Sequence, residues 1–137
     1  MEKRFNLHSD IHELASLRSQ VRDLLDAAGF DEKAINDVLL AVQEAVTNVI
    51  RHGYKDSSGK IELVYKEEPS QVQISIKDYG KKFDLTKVKD PDLPRETPGG
   101  LGIYLIKSIM DKVNYDDSFR EGNLIHLYKF KSNIRQS

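Results

Sequence analysis

The sequence predicts an α+β fold, a two-layer sandwich with helices on one face of a sheet. Two amphipathic helical stretches lie before about Arg51, and alternating strand-like runs come in pairs after it, with one more short helix between the pairs. Strands that pair in sequence favour an antiparallel or a mixed, mainly antiparallel sheet. Helices with a single apolar stripe favour one covering layer.

The elements follow in order. Phe5 and Leu7 in a short polar alternation suggest an opening strand. Ser9 or Asp10 is placed to cap a first helix bearing Ile11, Leu14, Leu17, Val21, Leu24, Leu25 and Ala28 at helical spacing, and Gly29 ends it. Asp31 caps a second helix running to about Arg51, with Ile35, Val38, Leu39, Val42, Ala45, Val46, Val49 and Ile50 on one face. Its opposite stripe reads Asp37, Ala41, Glu44, Asn48, Arg51 and is expected to look into solvent or a pocket. Asp56-Ser57-Ser58-Gly59 is a turn. The runs Lys60 to Glu67 and Gln71 to Lys77, joined by Glu68-Pro69-Ser70, form a hairpin. From Gly80 to Gly99 the chain is polar and carries Pro91, Pro94 and Pro98, a loop long enough to suggest a functional lid. A third helix is expected over Ile103 to Lys112, opened by Gly99-Gly100-Leu101-Gly102. Strands Val113 to Phe119 and Leu124 to Phe130 close the chain.

Composition narrows the function classes. The 137 residues are 39% apolar and 31% charged with a net charge of -1. One domain spanning residues 1–137 around one core is expected at that size. Cysteine is absent, which excludes disulfide frameworks, thiolate metal sites and a cysteine nucleophile. Interspersed charges give no whole-molecule field for nucleic acid or an anionic membrane. No run approaches a membrane span, and Met1 to Phe5 leads into no signal peptide, so the cytoplasm is the expected compartment.

Three spacings carry chemistry. Glu44 and Asn48 stand four apart, on one helix face. An amide oxygen suits Mg²⁺, and a carboxylate one turn away can take a hydroxyl proton. Asp78-Tyr79-Gly80 ends an apolar strand, where a carboxylate can accept from an exocyclic amine such as adenine N6. Gly99-Gly100-Leu101-Gly102 precedes a helix, whose free N–H groups and dipole suit phosphate. It lacks the lysine of a P-loop and does not follow a strand directly, as a dinucleotide fingerprint would. Taken singly, each has an ordinary explanation: a solvated helix face, a turn after a strand, a flexible loop end with a cap.

Their joint order resembles the GHKL ATPase superfamily with its Bergerat nucleotide fold, over about Phe5 to Phe130. Glu44 to Asn48 looks like the N box, Asp78-Tyr79-Gly80 like the G1 box and Gly100-Leu101-Gly102 like the G2 box. The segment Glu44-Ala45-Val46-Thr47-Asn48, ending in His52-Gly53-Tyr54, is similar to the anti-sigma serine kinases of the RsbW and SpoIIAB type. The resemblance implies that Asn48 coordinates Mg²⁺, Glu44 is the general base and Asp78 binds adenine. It implies that Gly80, Gly100 and Gly102 shape the pocket and lid hinge, with Gly99, Leu101 and Arg95 among the nucleotide-binding residues. The implied protein transfers the ATP γ-phosphate to a serine of an STAS-domain anti-anti-sigma partner. It also sequesters a sigma factor, as a homodimer. The other implied reading is a nucleotide-regulated partner-switching module without significant kinase activity.

Departures from the pattern are visible. Arg95 stands further from the glycines than the arginine of some relatives, Lys81-Lys82 replaces a second glycine after the G1 box, and Gly122-Asn123 stands where many members have glycine and threonine. His52 is read as a histidine near a helix end. His8, His12 and His126 lack metal-ligand spacing.

Overall fold

Two aspartates start the long helices, as their positions predict. Asp10 Oδ1 accepts from the His12 N–H at 2.8 Å and opens α1 (Ile11–Ala27). Asp31 Oδ1 accepts from the Ala34 N–H at 2.8 Å and opens α2 (Glu32–Asn48). Each cap satisfies a donor that the first helical turn leaves orphaned, worth about 1 kcal/mol. Between the helices Gly29 takes a φ of 91°, a left-handed conformation that glycine adopts without strain, and Phe30 drops into the core fully buried. This computed structural model describes residues 1–8, 10–54, 59–81, 100–116, 118 and 121–133.

The strands are β1 (Glu2–His8), β2 (Lys60–Glu67), β3 (Gln71–Asp78), β4 (Lys112–Asp116) and β5 (Asn123–Phe130), with α3 (Gly100–Ile109) between β3 and β4. They form one sheet in the order β1-β2-β3-β5-β4. Every neighbouring pair is antiparallel, so the antiparallel alternative is the one realised. The chain leaves β3, crosses through α3 to the edge strand β4, and returns as β5 between them. That return sets the two strand ends Asp78 and Asn123 opposite each other.

Alternation decides which face is buried. Leu7, Ile61, Leu63, Tyr65, Val72, Ile74, Ile76, Ile125 and Leu127 point under the helices and are all buried. Fully burying one such aliphatic side chain is worth about 1.5–3 kcal/mol, several times a cross-strand pair, so the apolar set fixes the register. From α1, Leu14, Leu17, Val21 and Leu25 meet this face, and from α2 Ile35, Val38, Leu39, Val42, Ala45 and Val46. The other sheet face carries Glu62, Val64, Gln73, Ser75, Lys77 and His126, none of them fully buried.

Three boundaries differ from expectation. α3 begins at Gly100 rather than Ile103 and ends at Ile109. Its expected last residues, Asp111 and Lys112, are drawn to the sheet: the Asp111 N–H donates to Tyr128 O at 3.0 Å, and Asp111 Oδ2 accepts from the Phe130 N–H at 2.7 Å. β4 accordingly starts at Lys112 and spans Lys112–Asp116; Phe119, its expected end, lies outside the described residues. α2 does not run regularly to Arg51; after Asn48 it loosens into a π-helical turn, Val49–Gly53.

Candidate functional site

Period-2 alternation carries β3 onto its buried face through Val72, Ile74, Ile76 and then Asp78. A carboxylate therefore occupies a position that sheet geometry assigns to the core, and Asp78 is fully buried. Its Oδ1 accepts from the Gly80 N–H at 2.9 Å and from Asn123 Nδ2 at 3.1 Å. Its Oδ2 is buried and has no partner. Burial pushes the Asp78 carboxyl above the ordinary aspartate value, while the Gly80 and Asn123 donors pull the other way. A buried acceptor without a donor costs about 1–3 kcal/mol, more for a charged group, so Oδ2 suits an incoming N–H.

The turn around Asp78 is held on several sides. The Gly122 N–H donates to Gly80 O at 3.1 Å, and Asn123 Nδ2 donates to Lys81 O at 2.8 Å. Gly122 has a φ of 78°, and a Cβ there would lie 2.2 Å from Asp78 O. Only glycine allows that approach, so Gly122 is required at this corner.

Asn48 and Glu44 occupy the last turns of α2. The Asn48 side chain donates through Nδ2 to Glu44 O at 2.8 Å. Of the two expectations for the stripe opposite the apolar face, solvent or a pocket, open solvent does not hold along its length. Asn48 is only 4% exposed and Ala41 is fully buried, while Glu44 is half-buried. α2 packs against both α1 and α3, so a single wet face does not exist along it.

Tyr54 connects the two clusters. The π-helical turn after Asn48 closes with the Tyr54 N–H on Val49 O at 3.0 Å. The Tyr54 hydroxyl then accepts from the Tyr79 N–H at 2.8 Å and donates to Lys60 O at 2.5 Å. The end of the Glu44–Asn48 helix is thereby tied to the residue after Asp78. The ring lies across Gly59, where a Cβ would come within 2.2 Å of it.

Gly100, Leu101 and Gly102 form the first turn of α3, whose helix packs against α2. Gly99 and Arg95 lie outside the described residues. The structure therefore joins Asp78 and Gly80 through Asn123 and Gly122, joins Glu44 to Asn48, and ties these clusters through Tyr54. Asn123, Tyr54 and Gly122 were not among the expected site residues. Asn123 had a visible signal, since the Gly122-Asn123 pair is one of the departures from the resembled pattern. Among the described residues no cluster of His, Asp and Glu forms a metal cage. A cleft of about 320 Å³ on the open sheet face, around Gln73, Ser75 and His126, includes none of Glu44, Asn48, Asp78 or Gly80.

Residues 7–129 match the sequence profile of the histidine kinase-like ATPase domain. The chain belongs to that family. Within it, this ATPase domain is similar to Serine-protein kinase RsbW of Oceanobacillus iheyensis, 35% identical over 111 residues, covering 74% of this chain and 69% of that one. Serine-protein kinase RsbW of Listeria innocua is 33% identical, covering 73% and 71%. These similarities place the chain in the RsbW-like branch of the GHKL family. Among solved structures, the RsbU and RsbW domains of a Mycobacterium tuberculosis protein superpose with a TM-score of 0.68 at 22% identity. That match covers 95% of this chain and 32% of the other, so this chain spans about a third of that crystallised chain. The histidine kinase domain of a blue-light activated histidine kinase from Erythrobacter litoralis superposes with a TM-score of 0.55 at 19% identity, covering 73% and 46%. Both structures speak to the fold alone. No helix among the described residues is long and apolar enough to cross a membrane.

Proposed function

We propose that this RsbW-like chain is an ATP-dependent protein serine kinase, acting as one nucleotide-binding domain. The observation that carries the reading is the buried, unpartnered Asp78 Oδ2 at a corner fixed by Gly80, Gly122 and Asn123. An acceptor so placed selects a base with an exocyclic amine, and adenine N6 supplies one. Asn48, at the helix end tied to that corner through Tyr54, offers an amide oxygen of the kind Mg²⁺ takes. The metal, bound to the nucleotide, would neutralise phosphate charge. Gly100, Leu101 and Gly102, in the first turn of α3, have the backbone N–H groups of a helix N-terminus to offer phosphate oxygens, with Gly99 and Arg95 adjoining in sequence.

In the transfer itself, Glu44 takes the proton of the substrate hydroxyl. The serine oxygen forms a bond to the γ-phosphorus, the bond from that phosphorus to the β–γ bridging oxygen breaks, and ADP carries away the electron pair. The names of the relatives support serine as the acceptor. By family resemblance, that serine belongs to an STAS-domain anti-anti-sigma partner. In the alternate complex the chain sequesters a sigma factor, working as a homodimer in the cytoplasm.

The test is transfer of labelled phosphate from ATP to an STAS-domain substrate. Glu44→Ala is expected to keep nucleotide affinity and lose transfer by about 10²–10⁴-fold, the usual contribution of a general base. Equal labelling by parent and variant removes Glu44 from that role. Nucleotide-dependent complex formation with no label on serine replaces the kinase with a partner-switching module.

A further inference from the structure

The Asn123 amide is saturated on its nitrogen side. One N–H goes to Asp78 Oδ1 at 3.1 Å and the other to Lys81 O at 2.8 Å. Neither partner donates: a peptide carbonyl and a carboxylate only accept. The amide nitrogen must therefore face β3, which turns Asn123 Oδ1 toward β4. There the Tyr115 hydroxyl donates to it at 2.7 Å. Asn123 is 5% exposed and Tyr115 is half-buried, so this bond is sheltered from solvent competition.

We infer that Tyr115 is a positioning residue for base selection. By holding the Asn123 amide, it commits Asp78 Oδ1 to the protein and leaves Oδ2 as the acceptor offered to a ligand amine. Removing the Tyr115 hydroxyl loosens the amide about its Cβ–Cγ bond. Asn123 then no longer presents one fixed N–H to Asp78, and the carboxylate can turn. A base with an exocyclic amine loses most from that freedom, and a base without one loses little. This inference rests on the nucleotide site proposed above. It concerns the asparagine and tyrosine of this chain.

Calorimetric titration of the full chain with ATP and with purine riboside triphosphate, which lacks the exocyclic amine, tests it. The parent is expected to bind ATP at least tenfold more tightly than the analogue, the scale of a hydrogen bond to a charged group. Tyr115→Phe should weaken ATP by roughly three- to tenfold, about one hydrogen bond, and leave the analogue within about twofold, so their ratio shrinks. The ratio is insensitive to partial unfolding, which lowers both apparent affinities alike. A second pair settles the route. Asn123→Thr supplies a hydroxyl donor to Asp78 without needing Tyr115, so Tyr115→Phe in that background should leave the ratio unchanged. A parent that binds no ATP, or binds both nucleotides equally, overturns the site and this inference together. A parent that discriminates while Tyr115→Phe discriminates just as well overturns the inference alone. So does a Tyr115→Phe effect of equal size in both backgrounds.

Discussion

Strand β5 buries a polar side chain at each end of its inner face, and the two ends differ in one respect. Lys129 sits at the far end, 5% exposed, with Nζ donating to Ile109 O at 2.5 Å and the Asp37 carboxylate 3.8 Å away. It joins β5 to the last turn of α3 and to α2, and its bonds are made within the protein. Asn123 sits at the near end, and through it the buried Asp78 has one oxygen held and the other without a partner. Ile125 and Leu127 separate the two as plain core. A buried polar group bonded within the protein rigidifies a fold. One left incomplete adds nothing to the fold on its own, and its value lies in what it can bind.

The sharpest way to break this contrast is Asp78→Asn. The amide keeps an acceptor for Gly80 and Asn123 but sets an N–H₂ where Oδ2 stood, donor against donor with an incoming amine. ATP affinity is expected to fall by about 10- to 100-fold, a hydrogen bond to a charged group being worth about 1.5–3 kcal/mol. The melting temperature of the nucleotide-free protein should hold or rise, because a buried charge is gone. A melting temperature lowered as far as by a core truncation would make Asp78 structural and dissolve the distinction.

Lys129→Met is the converse. The thioether stem fills the same space, but Ile109 O loses its buried donor and Asp37 loses a cation 3.8 Å away. Denaturant unfolding should show a loss of about 1–3 kcal/mol. Asp37 keeps Lys33 at 2.8 Å and is not itself fully buried, which holds the loss below that of a stranded buried charge. Nucleotide affinity should stay within about twofold of the parent. A loss of affinity matching that of Asp78→Asn would show the two ends coupled through α3.

Much of this contrast was legible in the sequence. Both helix caps, the Lys60–Glu67 hairpin and the inner-face set follow from local spacing. The burial of Asp78 was readable as well, since Val72, Ile74 and Ile76 put its side chain on the core face. The parts that were not legible depend on contacts across the chain. Helical period puts Asn48 opposite the apolar stripe of α2, yet it is buried, and α2 is flanked by both α1 and α3. The π-helical turn after Asn48 accompanies the Tyr54 hydroxyl bonding to Tyr79 and Lys60, a tether that no window of local sequence contains. Lys129 breaks an otherwise apolar alternation, and its burial rests on a helix carbonyl twenty residues away. Asn123 showed itself only as a departure from a familiar threonine, and Tyr115 behind it gave no signal.

The smallest expected effect concerns acid. Burial raises the Asp78 carboxyl above its ordinary value, so the folded protein takes up this proton at a higher pH than the unfolded chain does. In the window between those two values the folded state holds more protons, and stability therefore rises as pH falls through it. Glu62 and Asp116 run the other way, their carboxyls held below the ordinary range by Lys60 and by Ser118, but both are near the surface and screened. Subtracting the Asp78→Asn melting curve from that of the parent isolates the aspartate. Without nucleotide, the parent should gain on the variant as the solution is acidified. With saturating ATP the sign should reverse, because an exocyclic amine needs Oδ2 ionised and binding pulls the Asp78 carboxyl back down. ATP affinity should accordingly begin to fall with acid at a higher pH than an ordinary aspartate would dictate. A difference curve that slopes the same way with and without ATP would mean that the nucleotide never meets this oxygen.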